Sequence, residues 1–206
     1  MPSEAAADTI GVLLAGGLSR RMGGGDKCLR ELAGETLLAR AIARARPQVR
    51  TLVLNANGDP ARFDGYALPV LADVVAGYAG PLAGVLTGLE WARDHAPGTH
   101  WVATFATDAP LFPSDLVARL RAALEADEAD LACAASGGRS HPVFGLWPVV
   151  LAGALRRAME DEEMRKIDAW TVRYRLAEVE FQIAEVDPFF NANRPEDLAE
   201  AARLLA

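Results

Sequence analysis

Ile10, Val12, Leu13 and Leu14 form a short, nearly continuous apolar run, which breaks abruptly into Gly16, Gly17, Ser19, Arg20, Arg21, Gly23, Gly24, Gly25, Asp26 and Lys27. That change predicts a buried strand running into a glycine-rich loop. Residues 32–46 place Leu37, Leu38, Ile42 and Ala45 at helical spacing, with Gly34 just before them and Pro47 closing the segment. A second strand over 49–54 ends in Asn55-Ala56-Asn57-Gly58-Asp59-Pro60, and a short third strand over 68–71 delivers Asp73. Gly77 to Gly84, with Gly80-Pro81 at its centre, leads into an apolar helical stretch over 85–92. The fourth strand, 101–105, is followed by Ala106-Thr107-Asp108-Ala109-Pro110. Beyond it the pattern predicts an amphipathic helix over 115–126, a fifth strand over 130–135 and a turn at 136–140. A mostly apolar stretch follows from His141 to Pro148, then short helices over 151–159 and 164–174 and a last strand over 180–186. Pro195 begins a terminal Ala/Leu helix reaching Ala206.

Chemistry gathers where strands end. Glycines let the backbone take φ > 0 and bring N–H groups close to a ligand, while Arg21 and Lys27 add fixed positive charge. The first loop therefore suits a polyphosphate. It is not a Walker loop, because Cys28 and not Ser or Thr follows Lys27, and it is not a dinucleotide fingerprint, because Arg21 stands where the third glycine belongs. Asn55, at a strand end, is placed to read a base or hold a ribose, or to serve as a turn-forming asparagine. The turn at Gly80-Pro81 points a helix N-terminus outward, either as a second wall of a nucleotide site or as a plain strand-to-helix connection. Asp108, in a proline-stiffened turn, suits Mg²⁺, which prefers one or two carboxylates plus phosphate oxygens and waters. The competing reading of Asp108 as a helix cap is weakened by Ser114 and Asp115, either of which can cap the next helix. His141 has no metal partner by spacing and reads as structural.

Length narrows the architecture. With 206 residues, 51% of them apolar, and no repeat, linker or low-complexity tract, one domain over 1–206 is expected. The formal net charge of −7 argues against nucleic-acid and anionic-membrane partners, since those affinities come from clustered Lys and Arg. The N-terminal residues lack the basic start and apolar middle of a secretory signal, no run approaches a membrane span, and the two cysteines, Cys28 and Cys133, show no zinc spacing. A cytoplasmic protein with reduced thiols is the expectation.

Taken in order, L-A-G-G…R-M-G…D-K, N-A-N, Asp73, G-P-L-A-G, T-D-A-P, H-P-V-F-G-L-W and F-N-A-N-R-P-E-D-L span nearly the whole chain. This series resembles the molybdenum cofactor guanylyltransferases, the MobA type of nucleotidyltransferase. The first loop and T-D-A-P are shared with sugar, terpenoid and molybdenum cofactor cytidylyl enzymes, and the two later motifs narrow the resemblance to molybdopterin substrates. It implies a Rossmann-like, three-layer α/β/α fold with a mainly parallel sheet. It also implies Mg²⁺-dependent transfer of GMP from GTP to the terminal phosphate of molybdopterin or molybdenum-molybdopterin, with release of pyrophosphate. By the same resemblance Leu14, Ala15 and Gly16 hold the guanosine end, Lys27 the phosphates and Asp108 the metal, with Gly17 also in the GTP site; Arg21 joins Lys27 and Mg²⁺ in offsetting the repulsion between the two polyanions. Asn55 and Asp73 contact the nucleoside, and Asn191 and Asn193 lie on the pterin side. Arg194 stands where threonine is common. Handing over an unstable pterin suggests transient docking to cofactor-delivering proteins or molybdoenzymes. The rival readings are a cytidylyl or sugar-phosphate nucleotidyltransferase and, from another class, a non-catalytic GTP- or cofactor-binding module.

Overall fold

The computed structural model describes residues 4–16, 26–77, 80–192, 197 and 203. A short helix α1 (Glu4–Ala7) leads into strand β1 (Thr9–Leu14). In β1, Ile10 and Val12 face one side of the sheet while Gly11 and Leu13 face the other, and every position through Leu13 is buried. A strand covered on both faces must be apolar throughout, which is why it reads as a run and not as an alternation.

After β1 and the glycine-rich segment come a small antiparallel ribbon, β2 (Glu31–Leu32) and β3 (Glu35–Thr36), and helix α2 (Leu37–Ala45). The ribbon corrects the helix expected over 32–46. Ala33 and Gly34 take φ of 50° and 82°, a turn that ends helical geometry, and the Thr36 hydroxyl then caps α2 by accepting from Ala39 N–H at 3.1 Å. Next come β4 (Thr51–Asn55), β5 (Val70–Leu71), α3 (Pro81–His95) and β6 (Trp101–Ala106). They are followed by α4 (Leu116–Ala126), β7 (Leu131–Ser136), β8 (Arg139–Pro148), α5 (Ala152–Asp161), α6 (Ile167–Thr171) and β9 (Leu176–Glu180).

Among the described residues seven strands make one sheet in the order β5-β4-β1-β6-β8-β7-β9, mainly parallel, with β8 running against both its neighbours. One face carries Leu38, Ala41, Leu116, Leu120 and a ring cluster of Phe105, Phe112, Phe144 and Phe189. The other carries Leu82, Val85, Leu86 and Leu89 of α3 with Leu155, Met159 and Trp170. This is the expected α/β/α layering.

Two other expectations are corrected. The last strand lies at Leu176–Glu180, where it pairs in parallel with β7, and residues 181–186 are irregular. Neither Ser114 nor Asp115 caps α4. The side chain of Gln48, 69 residues upstream of Val117, accepts from Val117 N–H at 3.0 Å, a long-range cap with no local signature.

Candidate active site

Strand register sets the position of every group in the site. Leu14 pairs with Asn55 on one side and Ala106 on the other, and Asn55 pairs with Leu71. These four residues form a row across the carboxyl ends of parallel strands. Asp73 and Asp108 each stand two residues beyond it, on opposite sides of the exit from β1. The chain leaves β1 toward β4 on one side and finds β6 on the other, so a crevice opens at this end. The ladder runs on past the strand ends through Ala15 N–H to the Asn55 carbonyl (2.9 Å) and the Thr107 hydroxyl to the Leu14 carbonyl (3.0 Å). Gly16 then faces open space, since a Cβ placed there meets nothing within 4 Å.

The crevice has a volume of about 220 Å³ and is lined by Leu14, Ala15, Gly16, Lys27, Cys28, Pro81, Asp108, Val143 and Asn191, among others. Lys27 opens a 3-10 turn whose second residue, Cys28, is buried in the core. That anchor turns Lys27 to the crevice, where Nζ donates to Asp108 Oδ2 at 2.7 Å. The two side chains are 13% and 31% exposed, so the pair is sheltered but open to a ligand. Burial, with help from Asp26, pushes the Cys28 thiol up to about 12, which makes it a neutral wall and not a nucleophile.

Beside the crevice the end of β4 is braced by a small polar network. The Asn55 amide donates to Asp73 Oδ1 (2.9 Å) and the Leu71 carbonyl (3.2 Å). Asn57 grips the same aspartate twice, its amide donating to Oδ2 at 2.7 Å and its oxygen accepting from Asp73 N–H at 2.8 Å. Asn55 is buried, while Asn57 and Asp73 are half-buried and lie nearer to solvent. Helix α3 presses close behind it. A Cβ on Gly84 would lie 2.5 Å from Leu14 Cδ2 and nearer still to Asn55 Oδ1, and one on Gly88 would lie 2.5 Å from Val12 Cγ2. Two glycines one helical turn apart therefore let α3 lie against β1 and β4.

At the other side Asn191 lines the crevice, and the next residue, Ala192, donates its N–H to the Asp108 carbonyl at 2.8 Å. The approach to Asn191 is fixed by Asp187, which accepts from Phe189 N–H (2.9 Å) and from the Ser136 hydroxyl (2.8 Å). Ser136 also bonds His141 Nε2 at 2.7 Å, and the His141 ring packs on Phe189 with centroids 4.8 Å apart. Burial lowers the His141 pKa; Asp187 and Glu180 pull it upward and Arg139 adds to the lowering. His141 is thus structural, as its sequence context indicated.

The structure brings Leu14, Ala15, Gly16, Lys27, Asp108 and Asn191 to one crevice, while Asn55 and Asp73, bonded to each other at the neighbouring strand ends, are not among the residues that line it. Gly17, Arg21 and Asn193 lie outside the described residues. Asn57 and Gly84 went unassigned at the sequence level. The N-A-N spacing, which puts two amides on one side of a strand end, is the signal that could have found Asn57.

An open α/β sheet with a glycine-rich exit from its central strand, and a lysine and a carboxylate meeting in the strand-end crevice, defines a nucleotide-handling protein of Rossmann-like architecture. Within that class the chain belongs to the MobA-like NTP transferase domain family, whose pattern matches residues 11–178. It is 56% identical to the molybdenum cofactor guanylyltransferase of Bradyrhizobium sp. (strain ORS 278), over 100% of this chain and 97% of that one. The molybdenum cofactor guanylyltransferase of Rhodopseudomonas palustris (strain BisB5) is also 56% identical, over 99% of this chain and 97% of its own length. Among solved structures, molybdopterin-guanine dinucleotide biosynthesis protein A from Archaeoglobus fulgidus shares the fold. Its TM-score is 0.70 at 21% identity, covering 95% of this chain and 98% of that one.

Proposed function

We propose that the protein transfers GMP from GTP to the terminal phosphate of molybdopterin, or of molybdenum-molybdopterin, with release of pyrophosphate. The observation that carries this reading is the crevice itself. It brings Leu14, Ala15 and Gly16, the Lys27–Asp108 pair and Asn191 to the same strand-end opening. High identity to guanylyltransferases along the whole length supports guanine as the base.

The attacking group is a phosphate oxygen, already a competent nucleophile at neutral pH, so neither a covalent intermediate nor a general base is required. An acceptor oxygen forms a bond to the α-phosphorus of GTP as the α–β bridging bond breaks, and the electron pair leaves on pyrophosphate. The main obstacle is repulsion between two polyanions that must meet in line. Lys27 would follow charge on the phosphates, Arg21 is assigned the same task, and Ala15, whose N–H is held by the Asn55 carbonyl, would hold the donor end with Leu14 and Gly16.

Asp108 is the residue that would hold Mg²⁺. The donor set fits: the half-buried Asp108 carboxylate lines the crevice beside the phosphate-side lysine. A lone carboxylate suits an ion that takes its other ligands from a triphosphate and water. When bound there, Mg²⁺ supplies charge neutralisation on the phosphoryl oxygens. The buried free thiols Cys28 and Cys133 support a reducing, cytoplasmic setting, and no helix among the described residues is long and apolar enough to cross a membrane. Transient docking to cofactor-delivering proteins or molybdoenzymes goes with the same reading.

Pyrophosphate release is the test, with molybdenum-loaded molybdopterin and Mg²⁺ and with GTP, CTP, ATP and UTP offered separately. Release with GTP alone is expected. Release with CTP alone would move the protein to the cytidylyl branch, and silence with every nucleotide would leave a binding module.

A further inference from the structure

Arg62 lies in the 3-10 segment Pro60–Tyr66, which follows the turn at the end of β4, and Phe63 beside it is buried in the core. Its guanidinium reaches in two directions. Nε is 2.9 Å from Asp26 Oδ2, and Nη2 donates to the Asn57 carbonyl at 2.6 Å. Nη1 packs over Gly58, where φ is 89° and an added Cβ would come within 2.8 Å of that nitrogen, so a side chain at 58 would push Arg62 aside. Asp26 immediately precedes Lys27 and caps its turn, with Leu29 N–H donating to the Asp26 carbonyl at 3.1 Å. Asn57 is the residue that grips Asp73 from two sides. A continuous chain of contacts therefore runs Asp26, Arg62, Asn57, Asp73, Asn55, from the turn that presents the phosphate-side lysine to the edge assigned to the nucleoside.

We infer that Arg62 is a positioning residue for nucleotidyl transfer: it fixes the Lys27 turn against the nucleoside edge, so that base and α-phosphate are held at one set distance. This rests on the nucleotidyl-transfer reading of the crevice. As a half-exposed ion pair, Arg62–Asp26 contributes little to stability. Its leverage is geometric, because it ties the residue before Lys27 to Asn57, which holds Asp73, and small misplacement of reacting groups is costly in rate. A lysine at 62 keeps the charge but cannot span a carboxylate and a carbonyl together, since it lacks the planar fork.

The experiment compares wild type, Arg62→Ala, Arg62→Lys, Asp26→Asn and the Asp26→Asn/Arg62→Ala pair by kcat, KM for GTP, Mg-GTP affinity by calorimetry, and thermal melting. Arg62→Ala is expected to lower kcat/KM by roughly tenfold or more with little change in melting, with Arg62→Lys intermediate. The double variant should be no worse than Arg62→Ala alone, because both substitutions remove one interaction. Unchanged kinetics and affinity in Arg62→Ala, or losses that simply add in the double variant, would overturn the inference. Should Arg62→Ala fail to fold, Arg62→Lys and Asp26→Asn carry the same comparison, and wild-type values for both would overturn it equally. A wild-type enzyme silent with GTP sinks the guanylyl reading instead. Arg62 is then judged by the affinity of whichever triphosphate the wild type binds, with equal affinity in Arg62→Ala refuting its role.

Discussion

Gly84→Ala isolates the way a helix holds the nucleotide side of the site. The added methyl would sit 2.5 Å from Leu14 Cδ2 and 3.2 Å from Asn55 Cγ, with Asn55 Oδ1 closer still, and Asn55 is held by hydrogen bonds to Asp73 and Leu71. Something must move. Overpacking of this kind costs about 1–3 kcal/mol. Turning Asn55 away sacrifices at least one buried hydrogen bond, about 1 kcal/mol. Alanine returns about 1 kcal/mol of helix propensity. The net is a loss of about 2 kcal/mol, which lowers the melting temperature by roughly 4–8 °C in a domain of this size. The displaced amide also loosens Asp73, so KM for GTP should rise roughly tenfold, the worth of about one hydrogen bond. The matched control is Gly153→Ala, on the exposed side of α5, where the new methyl meets only Arg157 Nη1 at 3.7 Å. That change should raise the melting temperature by roughly 2–4 °C. Differential scanning calorimetry with steady-state kinetics on both variants makes the measurement. A Gly84→Ala protein that melts at or above wild type with an unchanged KM would show that α3 has room to spare and that this account of the edge is wrong.

Lys27→Ala removes the only cation among the described residues that line the crevice and should cost at least roughly a hundredfold in turnover; near-normal pyrophosphate release would rule out its role. Asp108→Asn should abolish the rise of activity with Mg²⁺ concentration, and an unaltered metal titration would remove the metal assignment. For His141, burial disfavours the imidazolium, so unfolding takes up a proton below the ordinary value of 6.5. Its contribution is complete above that pH and is lost as pH falls toward the depressed folded value. Wild type should therefore lose melting temperature faster than His141→Gln between about pH 6.5 and 5, and parallel curves would contradict the assignment.

The central strands were legible because burial on both faces forces continuous apolar runs, as in β1, β4 and β6. The site was legible for a related reason: polar residues stand immediately after those runs, and register carries Asp73 and Asp108 to flank Leu14. What sequence could not supply depends on partners far along the chain. Gln48 caps α4 from 69 residues away, so nothing local announced it. The β2–β3 ribbon hid inside a helical pattern because its turn is set by positive φ at Ala33 and Gly34, and alanine gives no warning of that. Strand β9 was placed too late because Leu176–Glu180 pairs, among the described residues, with β7 alone, and its exposed positions are the glutamates Glu178 and Glu180. Arg62 looked like one more surface charge, since its meaning lies in bridging Asp26 and Asn57.

The bond from Ala192 N–H to the Asp108 carbonyl joins the acceptor-side segment to the backbone of the residue assigned to the metal. On the proposed reading, an acceptor bound against Asn191 would bear on Asp108 through this bond, and a nucleotide bound at Asp108 would bear on the same segment. On that reading, a non-reacting analogue of one substrate should therefore change the dissociation rate of the other, and equal rates with and without it would refute the link.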